Sequence, residues 1–346
     1  MGASSLVRIL FAVYALLVVY ASLYPLEGWR DPGASPLAYL GAALPRYVSG
    51  LDILVNVLGY LPFGYLCVAA LQQRLQRGAA LAAATLAALS LSLVLEALQS
   101  YLPARFPSNL DVACNAAGAM LGAALALVLL PRLGGQRLRE RDFLPGPGID
   151  FGLVLIALWL FVQLNPATLL FGAGDLRPLL APGPGRSYAP EFFIRIEAFV
   201  AGANLVAVGL LLSALVAPGR PARAMQVALI AAALAVKTAA YAVLMQSELV
   251  FAWLTPGAQA GIAAGLVVAL AAAALPRTAQ LVLAAMLVMA ATVLVNLAPT
   301  NPYLTATLKV WQQGHFLNFN GLTRLVGALW PFAALGYLIF LASRRR

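Results

Sequence analysis

The sequence predicts an all-α membrane protein, a polytopic transmembrane helical bundle of about ten helices. Of its 346 residues, 62% are hydrophobic and only 10% are charged. The hydrophobic residues fall in successive runs of about 20 residues, the length that a helix needs to cross the ~30 Å hydrocarbon core of a bilayer. Short segments rich in arginine, glycine and proline separate these runs, as expected for loops between spans.

The predicted spans follow one another with short connections. They cover residues 6–24, 51–71, 79–101, 110–130, 149–171, 192–216, 225–247, 258–275, 279–298 and 323–341. The first run carries one arginine at its start and ends at Tyr24-Pro25 without a small-residue cleavage motif. We therefore expect a retained signal-anchor rather than a cleaved signal peptide.

The basic residues predict the orientation of the spans. With the N-terminus inside, thirteen arginines lie on inner segments and eight basic residues on outer ones. An excess of arginine marks the cytoplasmic side. We therefore expect both termini in the cytoplasm and the chain in the cell inner (cytoplasmic) membrane. The same bias accounts for the net charge of +10 without a nucleic-acid partner. The Ala/Leu/Arg-rich composition is typical of a GC-rich bacterial gene.

A charged, Gly/Pro-rich stretch from Pro131 to Gly148, "PRLGGQRLRERDFLPGPG", interrupts the apolar pattern. It predicts a cytoplasmic linker. The predicted organisation is a four-helix domain over 1–132, the linker over 133–148 and a six-helix domain over 149–346. The sequence sets no oligomeric state.

Short sequence matches at a constant offset relate the second domain to the first. "QSYL" at Gln99 and "QSEL" at Gln246 lie 147 residues apart, and at that offset "AAG" ends at both Gly118 and Gly265. These matches predict a degenerate repeat. In that alignment Glu96, Arg105, Asp111 and Asn115 correspond to Val243, Ala252, Ala258 and Ile262. The second copy would then keep the helical arrangement of the first and lack these four polar side chains.

Three predicted helices each place polar side chains on one face near the same membrane surface. The pairs are Asp52 with Asn56, Glu96 with Gln99, and Asp111 with Asn115. Residues three or four positions apart lie on the same side of a helix. The turn between the third and fourth helices adds Arg105 and Ser108. The sequence therefore predicts an outward-facing polar pocket.

Two interpretations of these charges stay open. Asp52 and Asp111 suit helix N-termini, where an acid favours the helix dipole, and Arg105 then faces solvent. Glu96 lies inside an apolar run, where an ionised acid costs ~2.5 kcal/mol or more unless it is paired or hydrated. The guanidinium of Arg105 can bridge Glu96 and Asp111 as a structural brace, or it can hold a phosphate or carboxylate of a ligand.

The ordered pattern of these residues resembles the VanZ-like membrane proteins, a family named for a teicoplanin-resistance protein. The matching residues are Asp52, Asn56, Gly59, Pro62, Gly64, Glu96, Gln99, Arg105, Asp111, Asn115 and Gly118. The resemblance covers roughly residues 6–132. It implies a role in the cell envelope and antibiotic resistance. The six-helix extension departs from the small four- or five-helix members of the family.

Three functions fit the pattern. In the first, the pocket binds an envelope lipid or amphiphile through Asp52, Asn56, Gln99, Arg105, Ser108 and Asn115. In the second, a membrane-embedded enzyme modifies a lipid or lipid-linked envelope substrate: Glu96 is the acid or base, Asp111 orients or activates, and Arg105 holds an anion. The third, transport, requires polar groups through both leaflets. We expect no cofactor and no metal.

Other conspicuous residues lie outside this pattern. Lys237 and Asn204 fall near the middle of the seventh and sixth spans; an intramembrane lysine is either functional or hydrogen-bonded, here to Asn204. His315, the only histidine, lies in a loop whose aromatic residues suggest a segment in the membrane interface. Cys67 and Cys114 fall at opposite predicted depths, so we expect no disulfide between them.

Overall fold

The computed structural model is described for residues 5–44, 48–71, 74–133, 135–177, 188–245, 247–302 and 317–343. Eleven α-helices and no β-strand occur within these ranges. The helices are α1 Ser5–Leu23, α2 Gly50–Leu71, α3 Arg77–Gln99, α4 Asn109–Leu133, α5 Gly135–Asp142, α6 Pro147–Val162, α7 Pro190–Leu215, α8 Ala222–Leu244, α9 Pro256–Ala272, α10 Arg277–Leu297 and α11 Leu317–Ser343. The all-α prediction is confirmed.

Each of the ten predicted spans coincides with a helix. In the part of the chain that the structure describes, eight helices are long and apolar enough to cross a membrane: α1 to α4, α7, α8, α10 and α11. The other two, α6 and α9, are shorter apolar helices. The protein is therefore a multi-pass membrane protein, as the composition indicates.

The end of α6 differs from the prediction that the fifth span continues to residue 171. The helix ends at Val162 and is followed by a buried loop, residues 163–174. Pro166 disfavours helical geometry at Asn165. The side chains of the loop replace the missing helical bonds: Gln163 Oε1 accepts the N–H of Phe171 at 3.0 Å, and Asn165 Oδ1 accepts that of Ala167 at 2.9 Å. Irregular backbone survives inside an apolar bundle only when it is satisfied in this way.

The chain divides into two compact units, Met1–Arg141 and Asp142–Arg346. The segment predicted as a linker over 133–148 contains the helix α5. In the first unit, α2 and α4 approach closely because glycines remove the side chains between them. A Cβ at Gly118 would overlap the carbonyl of Val57, and one at Gly122 would overlap that of Leu61. Small residues allow this approach between membrane helices.

In the second unit, α7 is the central helix. In the most apolar 18-residue stretch of each helix, 83% of the residues of α7 are buried, against 28% for α8 and 33% for α10. The helix α9 packs on α7 through a row of glycines four residues apart, Gly257, Gly261 and Gly265, which face the backbone or side chains of α7. Most of the hydrophobic core of the second unit therefore surrounds α7.

Candidate functional site

Three acids of the first unit lie at one end of its helix bundle. Asp52 is in the first turn of α2, Glu96 is in the last turn of α3, and Asp111 is in the first turn of α4. The charge of Asp111 acts on Glu96, and the charge of Asp52 acts on Asp111. The structure therefore brings together the three carboxylates predicted from sequence, which we call the acid cluster.

Glu96 is buried, with 4% of its surface exposed. Its Oε2 accepts the backbone N–H of Ser108 at 2.8 Å. The hydroxyl of Ser108 in turn accepts the N–H groups of Leu110 at 3.2 Å and Asp111 at 3.4 Å, as an N-cap does. The carboxylate that the sequence left without a partner thus joins the end of α3 to the start of α4.

Arg105 and Gln99 both bind the C-terminal end of α1. Arg105 donates from Nε to the carbonyl of Tyr24 and from Nη2 to that of Ala21, each at 2.9 Å. Gln99 donates from Nε2 to the carbonyl of Ser22 at 2.9 Å. The last carbonyls of a helix lack intrahelical partners and carry negative partial charge, so a guanidinium is favourable there.

The expected bridge by Arg105 between Glu96 and Asp111 is therefore not formed. Its fork is occupied by α1, and it acts on Glu96 only as a nearby charge. Burial lowers the pKa of the Arg105 guanidinium, and the carboxylate of Glu96 opposes that shift. An arginine held in this way stabilises the turn, and α1 takes two of its five N–H donors.

Asn115 links α4 to α3 and has a hydrogen-bonding group to spare. Its Nδ2 donates to the hydroxyl of Ser92 at 2.9 Å, and Ser92 is also bonded to the side chain of Tyr60. The Oδ1 of Asn115 is buried and has no hydrogen-bond partner. A buried acceptor without a donor costs about 1–3 kcal/mol, so a group that supplies one binds favourably.

Asp111 also has unused acceptors. Its carboxylate is partly exposed and accepts no hydrogen bond from the residues that the structure describes. The same holds for the side chain of Asn56 within the described ranges. Because Asp111 and Asn115 are four residues apart, their side chains lie on the same side of α4. One face of α4 thus carries a free carboxylate and a free amide oxygen.

Three residues near the acid cluster were not predicted. Ser92 bonds both Asn115 and Tyr60, as described above, and the hydroxyl of Tyr39 donates to the carbonyl of Leu93 at 3.2 Å. The position of Ser92, four residues before Glu96, is a helical spacing that indicates a shared face. Tyr39 lies in a short 3₁₀ helix, Ala38–Gly41, and no sequence pattern connects it to α3.

In the second unit, Lys237 is fully buried and binds the buried loop. Its Nζ donates to the carbonyls of Asn165 and Thr168, each at 2.8 Å, and to the hydroxyl of Thr168 at 3.2 Å. Asn204 donates instead to the carbonyl of Val200, at 2.9 Å. The expected hydrogen bond between Lys237 and Asn204 is wrong, because the loop presents three oxygens to the ammonium group.

The two cysteines, Cys67 and Cys114, are buried and free. His315 lies outside the described residues, as do its neighbours Trp311 and Phe316 and the Gln246 of the proposed repeat. Within the described ranges, no group of three or more His, Cys, Asp or Glu residues could hold a metal ion.

Fold and site together define a multi-pass, all-α membrane protein whose N-terminal unit gathers carboxylates and amides at one end of three helices. Residues 11–130 match the family model described as VanZ/LLP1, so this unit carries a VanZ-like domain and the resemblance drawn from its motifs is confirmed. The match ends within α4 and does not extend over α5 to α11. No curated protein and no solved structure matches the chain significantly.

Proposed function

We propose that the acid cluster binds the polar headgroup of an envelope lipid or another amphiphile. The supporting observation is the pair of unused acceptors on one face of α4, the carboxylate of Asp111 and the buried Oδ1 of Asn115. Asp52 and Asn56 extend this surface from α2. A ligand with hydrogen-bond donors satisfies the acceptors of Asp111 and Asn115 and removes the cost of leaving the buried Oδ1 unpaired.

The charges favour a headgroup with ammonium or hydroxyl groups over an anionic one. The charge of Asp111 acts on Glu96 and the charge of Asp52 acts on Asp111, while the guanidinium of Arg105 binds α1. Like charges that are close together are stabilised by a cation or by neutral donors and destabilised by another anion. In this proposal Arg105 therefore has a structural role and not the anion-binding role expected from the sequence.

The distribution of arginines supports a site on the outer face of the cell inner membrane, with both termini in the cytoplasm. A protein that binds amphiphiles there alters the composition of the envelope or the access of glycopeptide antibiotics to it. The VanZ-like domain supports this second effect by analogy with the protein for which the family is named.

Replacing Asp111 with Asn tests the proposal with little risk to the fold, because the carboxylate bonds no described residue. The matched control is Glu27→Gln, which removes an exposed acid from the loop after α1 and leaves the cluster intact. We expect Asp111→Asn to lower the amount of co-purifying amphiphile about tenfold. Mass spectrometry of lipids extracted from the purified full-length protein measures it, and teicoplanin sensitivity of the host should follow.

Equal lipid content in Asp111→Asn, Glu27→Gln and the wild type would count against a binding site. In that case the acid cluster only joins helices. If bound lipid falls but drug sensitivity is unchanged, the binding site stands and the link to glycopeptides is removed.

The alternative is an enzyme that modifies a lipid or lipid-linked substrate. It is favoured by Glu96, whose Oε2 is held by Ser108 while its Oε1 accepts no bond from a described residue. A buried carboxyl group with one oxygen available can accept or donate a proton, and Asp111 lies in a more exposed environment. Comparing envelope lipids from cells with and without the gene tests it, because an enzyme must leave a changed lipid species.

A further inference from the structure

The second unit contains a cavity of about 340 Å³ where α7 ends and α10 begins. Its apolar wall is formed by Leu144, Val216 and Pro218, and its polar wall by Ser213, Arg277 and Gln280. Pro218 is exposed, so the cavity is reached from the surface of the unit. This volume lies at the lower end of the range of small-molecule sites, which suits a headgroup or a small metabolite.

Arg277 is fixed in the wall with donors to spare. Its Nε donates to the carbonyl of Ala214 at 3.2 Å, which holds the guanidinium in place. Its Nη1 and Nη2 groups donate to no residue that the structure describes. A guanidinium anchored in this way presents paired N–H groups whose geometry matches a phosphate or a carboxylate.

Gln280 adds an acceptor to the same wall. The side chain is 7% exposed, and its Nε2 donates to the carbonyls of Ala273 at 3.0 Å and Leu275 at 2.9 Å. These two bonds fix the amide, and its Oε1 receives no hydrogen bond from the described part of the chain. A ligand that suits both side chains carries an anionic group for Arg277 and a hydroxyl or similar donor for Gln280.

The surroundings are basic. Arg220 and Arg223 lie in the turn between α7 and α8 and at the start of α8, where Arg220 pairs with Asp142 at 3.5 Å and Arg223 donates to the carbonyl of Leu270. The orientation predicted from the arginines puts this end at the cytoplasmic surface. Anionic lipid headgroups concentrate there, and basic pockets between membrane helices bind them.

We propose that this cavity is a second binding site, which takes an anionic phosphoester that also carries a hydroxyl group, as glycerol phosphate does. Arg277 binds the phosphate, and the Oε1 of Gln280 accepts a hydrogen bond from the hydroxyl group. The apolar wall accommodates the start of an acyl chain when the ligand is a lipid. The same chemistry is found in a phospholipid headgroup and in a free metabolite. The site is independent of the acid cluster, which attracts donors and repels anions.

Calorimetric titration of the full-length protein in a neutral detergent tests the site. The probes are sn-glycerol 3-phosphate, dihexanoyl phosphatidylglycerol, and dihexanoyl phosphatidylcholine as the zwitterionic comparison. We expect saturable binding of one or both anionic probes, about tenfold weaker in Arg277→Gln and unchanged in Arg137→Gln, which removes an exposed arginine from α5 in the first unit. Binding of the glycerol phosphate alone identifies a metabolite site, and binding that requires the acyl chains identifies a lipid site.

The proposal would be overturned by equal affinity of wild type and Arg277→Gln for the anionic probes, or by binding of phosphatidylcholine as tight as that of phosphatidylglycerol. Failure of both anionic probes to bind the wild type would overturn it as well. Arg277→Lys serves if Arg277→Gln does not fold, because it keeps the charge and loses the fork. We expect it to bind about threefold more weakly than the wild type, and wild-type affinity would again contradict the site.

Discussion

The helix pairs α2–α4 and α7–α9 are the most instructive comparison within the molecule. In the first unit, Gly118 of α4 lies against the backbone of Val57 in α2. In the second unit, Gly265 of α9 lies against the backbone of Gly202 in α7. Both pairs are built on the same principle, in which a glycine lets two membrane helices touch backbone to backbone.

The two helix pairs differ in the acidic residues that precede these contacts in the sequence. Asp52 lies five residues before Val57, and Glu197 lies five residues before Gly202. Asp111 lies seven residues before Gly118, but the residue seven before Gly265 is Ala258, which is fully buried. One acid of the pair therefore has a counterpart in the second unit and the other does not.

The counterpart acid in the second unit, Glu197, is held by its neighbours. Glu197 is hydrogen-bonded to the side chain of Thr255, whose hydroxyl also accepts the N–H of Ala258 at the start of α9. Asp111 has no such partner among the described residues. The contrast indicates that Glu197 serves the packing of α7 and α9, while the carboxylate of Asp111 keeps acceptors that no described residue uses. The degenerate repeat stays a prediction, because the matched positions lie 145 residues apart between α2 and α7 but 147 apart between α4 and α9.

The largest effect is expected from filling the helix contact itself. Gly118→Leu places a side chain where the carbonyl of Val57 lies, so α2 and α4 must separate. We expect a loss of stability of about 3 kcal/mol or more, enough to prevent isolation of folded protein. Gly59→Ala is the control, since a Cβ there meets nothing within 4 Å. Fluorescence-detected size-exclusion chromatography compares them, and a monodisperse Gly118→Leu peak would refute the close contact.

A smaller effect is expected from Lys237→Met. Methionine fills a similar volume but leaves the carbonyls of Asn165 and Thr168 without a donor inside the second unit. We expect a loss of about 2–4 kcal/mol, seen as a lower melting temperature in detergent. Thr238→Val is the matched control, because that hydroxyl bonds only the carbonyl of Leu234 in its own helix. An unchanged melting temperature together with lost function would make Lys237 a functional residue rather than a structural one.

Helix positions were predictable and helix partners were not. Apolar runs of about 20 residues are a physical requirement for crossing a bilayer, so each predicted span coincides with a helix. The loop after α6 was missed because the side chains of Gln163 and Asn165 accept hydrogen bonds from its backbone N–H groups. A hydropathy pattern carries no information on such bonds. The partners of Arg105 were missed because they lie 81 and 84 residues away along the chain. Residue spacing does not determine how α1 is placed against the turn that carries Arg105.

The smallest effect on stability, and the sharpest test of the acid cluster, is expected from Glu96→Gln. An amide oxygen still accepts the N–H of Ser108, so the joint between α3 and α4 survives and the melting temperature should fall by less than that of Arg105→Met, which removes two bonds to α1. We expect a cost within about 1 kcal/mol for Glu96→Gln and about 2 kcal/mol for Arg105→Met. A stable Glu96→Gln protein that has lost its bound amphiphile or its product assigns the Glu96 charge to the ligand. A variant as unstable as Arg105→Met assigns that charge to the fold, because the hydrogen bond alone then does not hold the two helices together.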